Sequence, residues 1–398
     1  VFHQYNHPAA AAAGDLLDAY RPGNAFLAAP SGAILGEGAA AAAERLEDVG
    51  DLLAQGTADS ASGPIAIGAI PFDAAAPGRL VVPDRVRQAP PLTESRNSHR
   101  GQRPLPGPWA MRPLPEPAEH AAGVERLLKR LARGDGDDGP AKIVLARSLR
   151  LSGPGPVDVG QLLNNLAWRD PAACTFALDL PAASPAPRTL VGASPELLVA
   201  KRGGRVVSNP LAGSAPRSAD PSKDQLSAVE LLGSAKDRHE HAVVVEAVTE
   251  ALRPYCRTLE VPEPELARTA TLWHLSTRVT GELIDPATPS PVLAAALHPT
   301  PAVCGSPTDA ARAAIAEIEP FDRGFYTGAV GYTDARGDGE WIVSIRCADV
   351  AGDTLDLFAG GGIVGDSEPD AELAETSAKL RTLLLALGVN QPLIAPPR

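Results

Sequence analysis

The chain has 398 residues, 44% hydrophobic and only 4% aromatic, enough for a large, mainly aliphatic core. A net charge of −12 without a long basic run argues against a nucleic-acid or anionic-membrane surface. Cys174, Cys256, Cys304 and Cys347 are far apart with no C-x-x-C pair, which argues against a disulfide framework or zinc site and fits a reducing, cytoplasmic compartment. No apolar run reaches the roughly 18 residues of a membrane span, and no basic-then-apolar leader opens the chain.

In chain order, "GPIAIGAIPF" (63–72) reads as a buried strand broken by Gly and Pro. Residues 84–118, rich in Pro and Arg, read as a long surface excursion, mobile or extended. "EHAAGVERLLKRLARGD" is an amphipathic helix, "KIVLARSLRL" (142–151) a strand that opens on a lysine, and "GQLLNNLAW" a short helix. "CTFALDL" and "TLVGAS" are strands, and the long helix "SAKDRHEHAVVVEAVTEALRP" stops at Pro254. "EWIVSIRCADV" and "TLDLFAG" read as two strands joined by a Gly-Asp turn. The last helix, "SEPDAELAETSAKLRTLLLALG", has Pro369 near its start and Gly388 just past its end. Strands and helices mix without a βαβ rhythm, so the fold class is α+β with large, partly antiparallel sheets.

Three features could carry chemistry. Glu372, Glu375 and Lys379 share one face of the last helix, and Asp237 and Glu240 are three apart on the middle one. Two such acidic pairs suit a hard divalent cation such as Mg2+, although Glu375 and Lys379 also fit an ordinary surface pair. "AGGGIVGDSEPD" (359–370) is a glycine-rich turn opening onto a helix, able to offer backbone N–H groups to an anion or simply to turn tightly. Strict alternation through "SIRCA" sends Ile342, Ser344 and Arg346 to one face of a mostly buried strand, where a guanidinium needs an anion, internal or bound. His274 reads as a core histidine. "GASPE" is no nucleophile elbow, because Pro195 lacks the N–H an oxyanion hole requires.

The ordered stretches "KIVLARSL", "VGASPELLV", "NPLAGSAPR", "KDRHEHAVVVE", "LWHLSTRVTGEL", "HPTPAVCGSP", "FDRGFYTGAVGY", "WIVSIRCA" and "LFAGGGIVGDSEPDAELAETSAKL", over roughly 140–385, resemble the chorismate-utilising enzymes: isochorismate, salicylate, anthranilate and aminodeoxychorismate synthases. The first 120 residues match loosely, best at "LGEG" (35–38). The resemblance implies a single chorismate-binding domain across 1–398, its motif-bearing part at 121–390, with two large, mostly antiparallel sheets and outer helices around a central cleft.

The resemblance also implies Mg2+ ligands at Glu240 and Glu375, supported by Asp237 and Glu372. The metal, Gly213 and Ser214 would hold the ring carboxylate of chorismate. Arg346, Tyr326, Lys379 and the backbone of Gly360 and Gly362 would hold the enolpyruvyl carboxylate, with His274, Ala302 and Val303 also in the site. Ammonia-using relatives carry glutamine where Lys142 stands, and water-using ones carry lysine. Lys142 is therefore the implied base toward water and Glu196 the implied acid toward the C4 hydroxyl, which gives an isochorismate synthase of a siderophore or menaquinone route. Salicylate synthases share both residues but tend to carry threonine at the place of Ala302. Ala212 replaces the lysine nucleophile of aminodeoxychorismate synthases. An ammonia-using synthase and a non-catalytic homologue are the remaining alternatives, and the resemblance implies a monomer.

Overall fold

The computed structural model describes residues 12–55, 63–93, 98–133, 141–180 and 187–390. Its strands form two large sheets and one small one, and every pairing between them is antiparallel. The ten-stranded sheet runs from Gly305–Ser306 through Lys142–Ser152, Thr354–Ile363, Cys347–Ala351, Arg188–Ser194, Cys174–Leu180, Ala25–Ala29 and Gly32–Glu37 to Arg85–Ala89, with its tenth strand, Ala110–Leu114, paired to Lys142–Ser152 off this path. The nine-stranded sheet runs from Cys256–Glu260 through Val279–Leu283, Arg205–Asn209, Leu197–Arg202, Gly339–Val343, Ala329–Asp334, Ile65–Ile70 and Arg79–Val82 to Ala41–Ala43. Both sheets take strands from the first 90 residues and from the last third, so the loosely matching N-terminal part is built into the same body.

The two sheets stack, and their inner faces share one core containing Leu27, Phe176, Leu190, Ile67, Val330 and Ile342. Helices Ala13–Ala19, Val159–Arg169 and Pro369–Leu387 cover the outer face of the larger sheet. Helices Val49–Gln55, Ala235–Leu252 and Ser290–Leu297 cover the other. Each central strand is therefore buried on both faces. That explains the unbroken apolar run at Ile65–Ile70, where Ile65, Ile67 and Ala69 face the inner core while Ala66 and Ile70 face the helices. The last helix ends as its sequence predicts, on Gly388 in the left-handed region at φ 88°.

Two expectations need correction. "EWIVSIRCADV" is not one strand: Gly339–Val343 belongs to the nine-stranded sheet and Cys347–Ala351 to the ten-stranded one. Alternation cannot be carried through residues 344–346, where the chain passes from one sheet to the other. Nor is 84–118 a loose excursion, although it is extended. Arg85–Ala89 is the edge strand of the larger sheet, and Ala110–Leu114 pairs along Lys142–Ser152. Leu92 and Leu105 are buried. Residues 94–97 lie outside the described residues.

The polar side chains of "QLLNNL" hold this segment down. Gln161 and Asn164 both donate to the Gly101 carbonyl, at 3.0 and 2.7 Å. Asn165 donates to the carbonyls of Arg103 and Ala386, both at 2.7 Å, and accepts from Gln161 Nε2 at 2.8 Å and Arg103 N at 3.3 Å. All four hydrogen-bonding positions of that buried amide are used, and Leu105 N donates to Leu387 O at 3.0 Å beside it. Asn165→Ala leaves buried groups unpaired on both neighbours. It should lower stability by about 2–3 kcal/mol in urea unfolding while secondary structure is retained.

Candidate active site

The cleft forms where the chain changes sheets. Arg188–Ser194 lies in the larger sheet and Leu197–Arg202 in the other, which leaves Pro195 and Glu196 outside both ladders. Ser344 to Arg346 make the second crossing. The two crossings are bonded to each other: Ser194 Oγ donates to Val343 O at 2.6 Å, and Val343 N donates to Glu196 O at 3.1 Å. Arg346 has φ 50° and Thr327 φ 61°, left-handed backbone that L-residues seldom adopt. Thr327 is held there by its N–H on Ser344 O at 2.9 Å. Glu196, Arg346, Tyr326 and Thr327 thus reach one cavity from loops that two sheets clamp.

Lys142 comes from the larger sheet, as the first residue of its strand, with its side chain only 1% exposed. Its Nζ lies 2.9 Å from Glu240 Oε1. Two further lysines meet the acidic helices: Lys379 Nζ is 2.6 Å from Glu375 Oε1 and donates to Gly360 O at 2.8 Å, and Lys236 Nζ is 3.3 Å from Glu372 Oε1. Ser367 Oγ also donates to Glu372 Oε1, at 2.7 Å, while Glu372 Oε2 is buried with no hydrogen-bond partner among the described residues.

The environment separates the carboxyl groups. Burial pushes Glu196 up to about 7, against the backbone at Leu211 and the charges of Lys142, Arg346 and Lys379. Burial also disfavours the charged form of Glu240, but Lys142, with Lys379 and Lys236, outweighs it and holds this carboxyl below its ordinary value. Asp237 and Glu372 are raised by burial, and neighbouring carboxylates add to it. One carboxyl raised to about 7, Glu196, therefore shares the cavity with one held below its ordinary value, Glu240. His274 accepts or donates through Nδ1 to Ser214 Oγ at 3.0 Å, and burial, then Arg346 and Lys379, depress its protonation strongly.

The acidic residues fit a hard divalent cation. They offer oxygen donors only, and Glu372 Oε2 is buried without a partner. Three glycines make room for them: a Cβ at Gly361 would strike Glu372 Oε2, one at Gly362 would strike Glu240 Oε1, and one at Gly213 would press on Asp237. Among the described residues, however, no three His, Cys, Asp or Glu side chains converge as a finished metal site, since lysines meet three of the four carboxylates.

Glu196, Gly213, Ser214, Glu240, His274, Ala302, Val303, Tyr326, Arg346, Gly360, Gly362, Glu375 and Lys379 all line the one cavity. Lys142 joins it through Glu240. Asp237 stands behind Gly213 and Glu372 behind Gly361, outside the lining itself. His274 is not a fully satisfied core histidine, because its Nε2 has no partner among the described residues. Thr327, Ile345 and Lys236 are additional participants that sequence reasoning passed over. Lys236 opens the "KDRHEH" motif, and Thr327 stands in "FYTG", so motif position was the available signal. All four cysteines are buried and free, and no helix among the described residues is long and apolar enough to cross a membrane.

This fold and cleft define a chorismate-binding enzyme. Residues 91–388 match the family described as Chorismate binding enzyme, and the chain belongs to it. Isochorismate synthase DhbC of Bacillus subtilis (strain 168) is 50% identical over 392 residues, 94% of this chain and 96% of that protein. A crystal structure assigned as the 2,3-dihydroxybenzoate-specific isochorismate synthase DhbC of Bacillus anthracis matches with TM-score 0.88 and 46% identity, over 95% of this chain and 100% of that one. Anthranilate synthase component I of Streptococcus pneumoniae TIGR4 shares the fold at TM-score 0.68 and 22% identity, over 92% of this chain and 90% of its own.

Glu196 should shape the pH dependence of stability. Its folded value of about 7 lies above the ordinary 4.5, so the native state keeps a proton that the unfolded chain loses. Its stabilising contribution is complete below pH 4.5 and falls away as pH rises to about 7. Glu196→Gln removes that slope. The variant should match the parent near pH 4 and exceed it by about 3 kcal/mol at pH 8, read from unfolding curves at both pH values.

Proposed function

We propose that the chain is an isochorismate synthase, converting chorismate to isochorismate by addition of water at C2 and loss of the C4 hydroxyl. The observation that carries this reading is a buried glutamic acid raised to about 7 in the cleft, with a buried lysine brought to the same cleft through Glu240. A protein half identical over nearly its whole length bears that name. Relatives named vibriobactin-specific isochorismate synthase (41% identical) and putative isochorismate synthase MenF (48% identical) favour a siderophore or menaquinone route as the destination of the product.

Chorismate carries two carboxylates. Arg346, Lys379 and Tyr326 line the cleft and would bind the enolpyruvyl carboxylate. Gly360 and Gly362 lie flush with the wall, where a side chain would collide with Tyr326 or Glu240. Ser214 and the Gly213 turn would face the ring carboxylate, with Glu240 and Glu375 as ligands of a Mg2+ ion and Asp237 and Glu372 in support. When bound, that ion would neutralise the ring carboxylate and polarise the ring.

Lys142 would serve as the base: once its proton has been given up, its Nζ takes one from water as the water oxygen bonds to C2. The ring double bonds shift, the C4–O bond breaks, and Glu196 donates its proton so that the C4 oxygen leaves as water. One hydroxyl replaces another, so the reaction runs in both directions. Burial keeps Glu196 protonated close to neutral pH, which an acid in this role requires. Glu240 is shared between two tasks: the carboxylate that would engage the cation is the one Lys142 contacts.

Incubation with chorismate and Mg2+, with products separated by chromatography, should yield isochorismate. Stoichiometric pyruvate and salicylate would instead assign the chain to the salicylate synthases. Lys142→Ala and Glu196→Gln should each reduce kcat by about 10³-fold or more, and near-normal turnover by either would overturn its role. As Glu196 ionises, kcat/KM should fall with rising pH above about 7.

A further inference from the structure

The buried pair Arg323–Glu319 takes no part in the cleft lining, yet it touches three of its walls. Both side chains are at most 2% exposed. All five N–H groups of the guanidinium are used. Nε donates to Glu319 Oε2 at 2.8 Å, and Nη2 donates to Glu319 Oε1 at 2.5 Å and to Val144 O at 2.8 Å. Nη1 donates to Val303 O at 2.7 Å and Thr327 Oγ1 at 3.3 Å. Glu319 Oε1 also accepts the Ala146 N–H at 2.7 Å. The guanidinium lies 4.6 Å from the centroid of the Phe72 ring.

The groups that bond this pair belong to separate parts of the chain. Val144 and Ala146 lie on the strand that begins at Lys142, Val303 lies in the turn that follows Ala302, and Thr327 follows Tyr326 in left-handed backbone. We propose that Arg323, fixed by Glu319, is a positioning residue that locks the Lys142 strand, the 302–303 turn and the Tyr326–Thr327 turn into one rigid wall behind the reacting ring. The inference rests on the isochorismate synthase reading. Among the residues that would hold the substrate's carboxylates, Tyr326 adjoins the Thr327 that Arg323 contacts at 3.3 Å, whereas Arg346, Lys379 and Ser214 are not bonded to Arg323, so its removal should misplace the base more than it weakens binding. A lysine cannot substitute, because three donors radiating from one nitrogen cannot span these acceptors.

The test is steady-state kinetics on chorismate with Mg2+ for the parent, Arg323→Lys and Glu319→Gln, with unfolding midpoints and circular dichroism in parallel. Isochorismate formation by the parent checks the underlying reading separately. Arg323→Lys should lose about 100-fold in kcat at a temperature well below its midpoint, with KM changed by less than about threefold. Glu319→Gln, which keeps the acceptor for Ala146 but loses the charge, should lose about 10-fold in kcat with the same pattern. A lowered midpoint with kcat preserved, or a rise in KM alone, in either variant would reduce the pair to a structural role. If Arg323→Lys does not fold, the kcat and KM of Glu319→Gln decide.

Discussion

The chemistry of this molecule depends on the chain having to leave one sheet and enter another. Most residues within the two stacked antiparallel ladders point into apolar layers, where a charged side chain is costly to place. At Pro195–Glu196 and at Ser344–Arg346 the backbone belongs to neither ladder, and there the fold can place an acid and a guanidinium in the cleft. Because the crossings bond to each other through Ser194, Val343 and Glu196, the acid is set by both sheets at once.

The other wall works by charge balance. Helices Ala235–Leu252 and Pro369–Leu387 bring four carboxylates together, and three lysines from three different elements oppose them. An acidic protein can hold a dianionic substrate because the local field of the cleft is decoupled from its net charge. The same field holds Glu240 below its ordinary value, while at Glu196 burial outweighs those cations and raises the carboxyl to about 7.

Much of this was legible in the residues. Ile65–Ile70, Lys142–Ser152 and Pro369–Leu387 carry periodicities and end signals strong enough to locate them. The family motifs, taken in order, name nearly every residue of the cleft. What escaped is what local pattern cannot encode. A change of sheet inside "EWIVSIRCADV" preserves apolar character while discarding the ladder, so alternation misassigned the faces. The Pro-rich segment looked loose because its anchors, Gln161, Asn164 and Asn165, sit some 60 residues away on a helix where amides would ordinarily face water. Arg323 escaped because, although Glu319 and Thr327 lie four residues either side of it, its carbonyl partners Val144 and Val303 come from other stretches of chain.

The tie between Leu105 and Leu387, reinforced by Asn165 on Ala386, bears on biogenesis. It joins an early segment to the end of the helix that brings Glu372 and Glu375 to the cleft. Such distant pairings make folding slow, since loop-closure entropy is spent before any contact rewards it. A nascent chain still missing that helix has exposed sheet and half an acidic cluster, so catalytic competence arrives only once the ribosome has delivered the last turns.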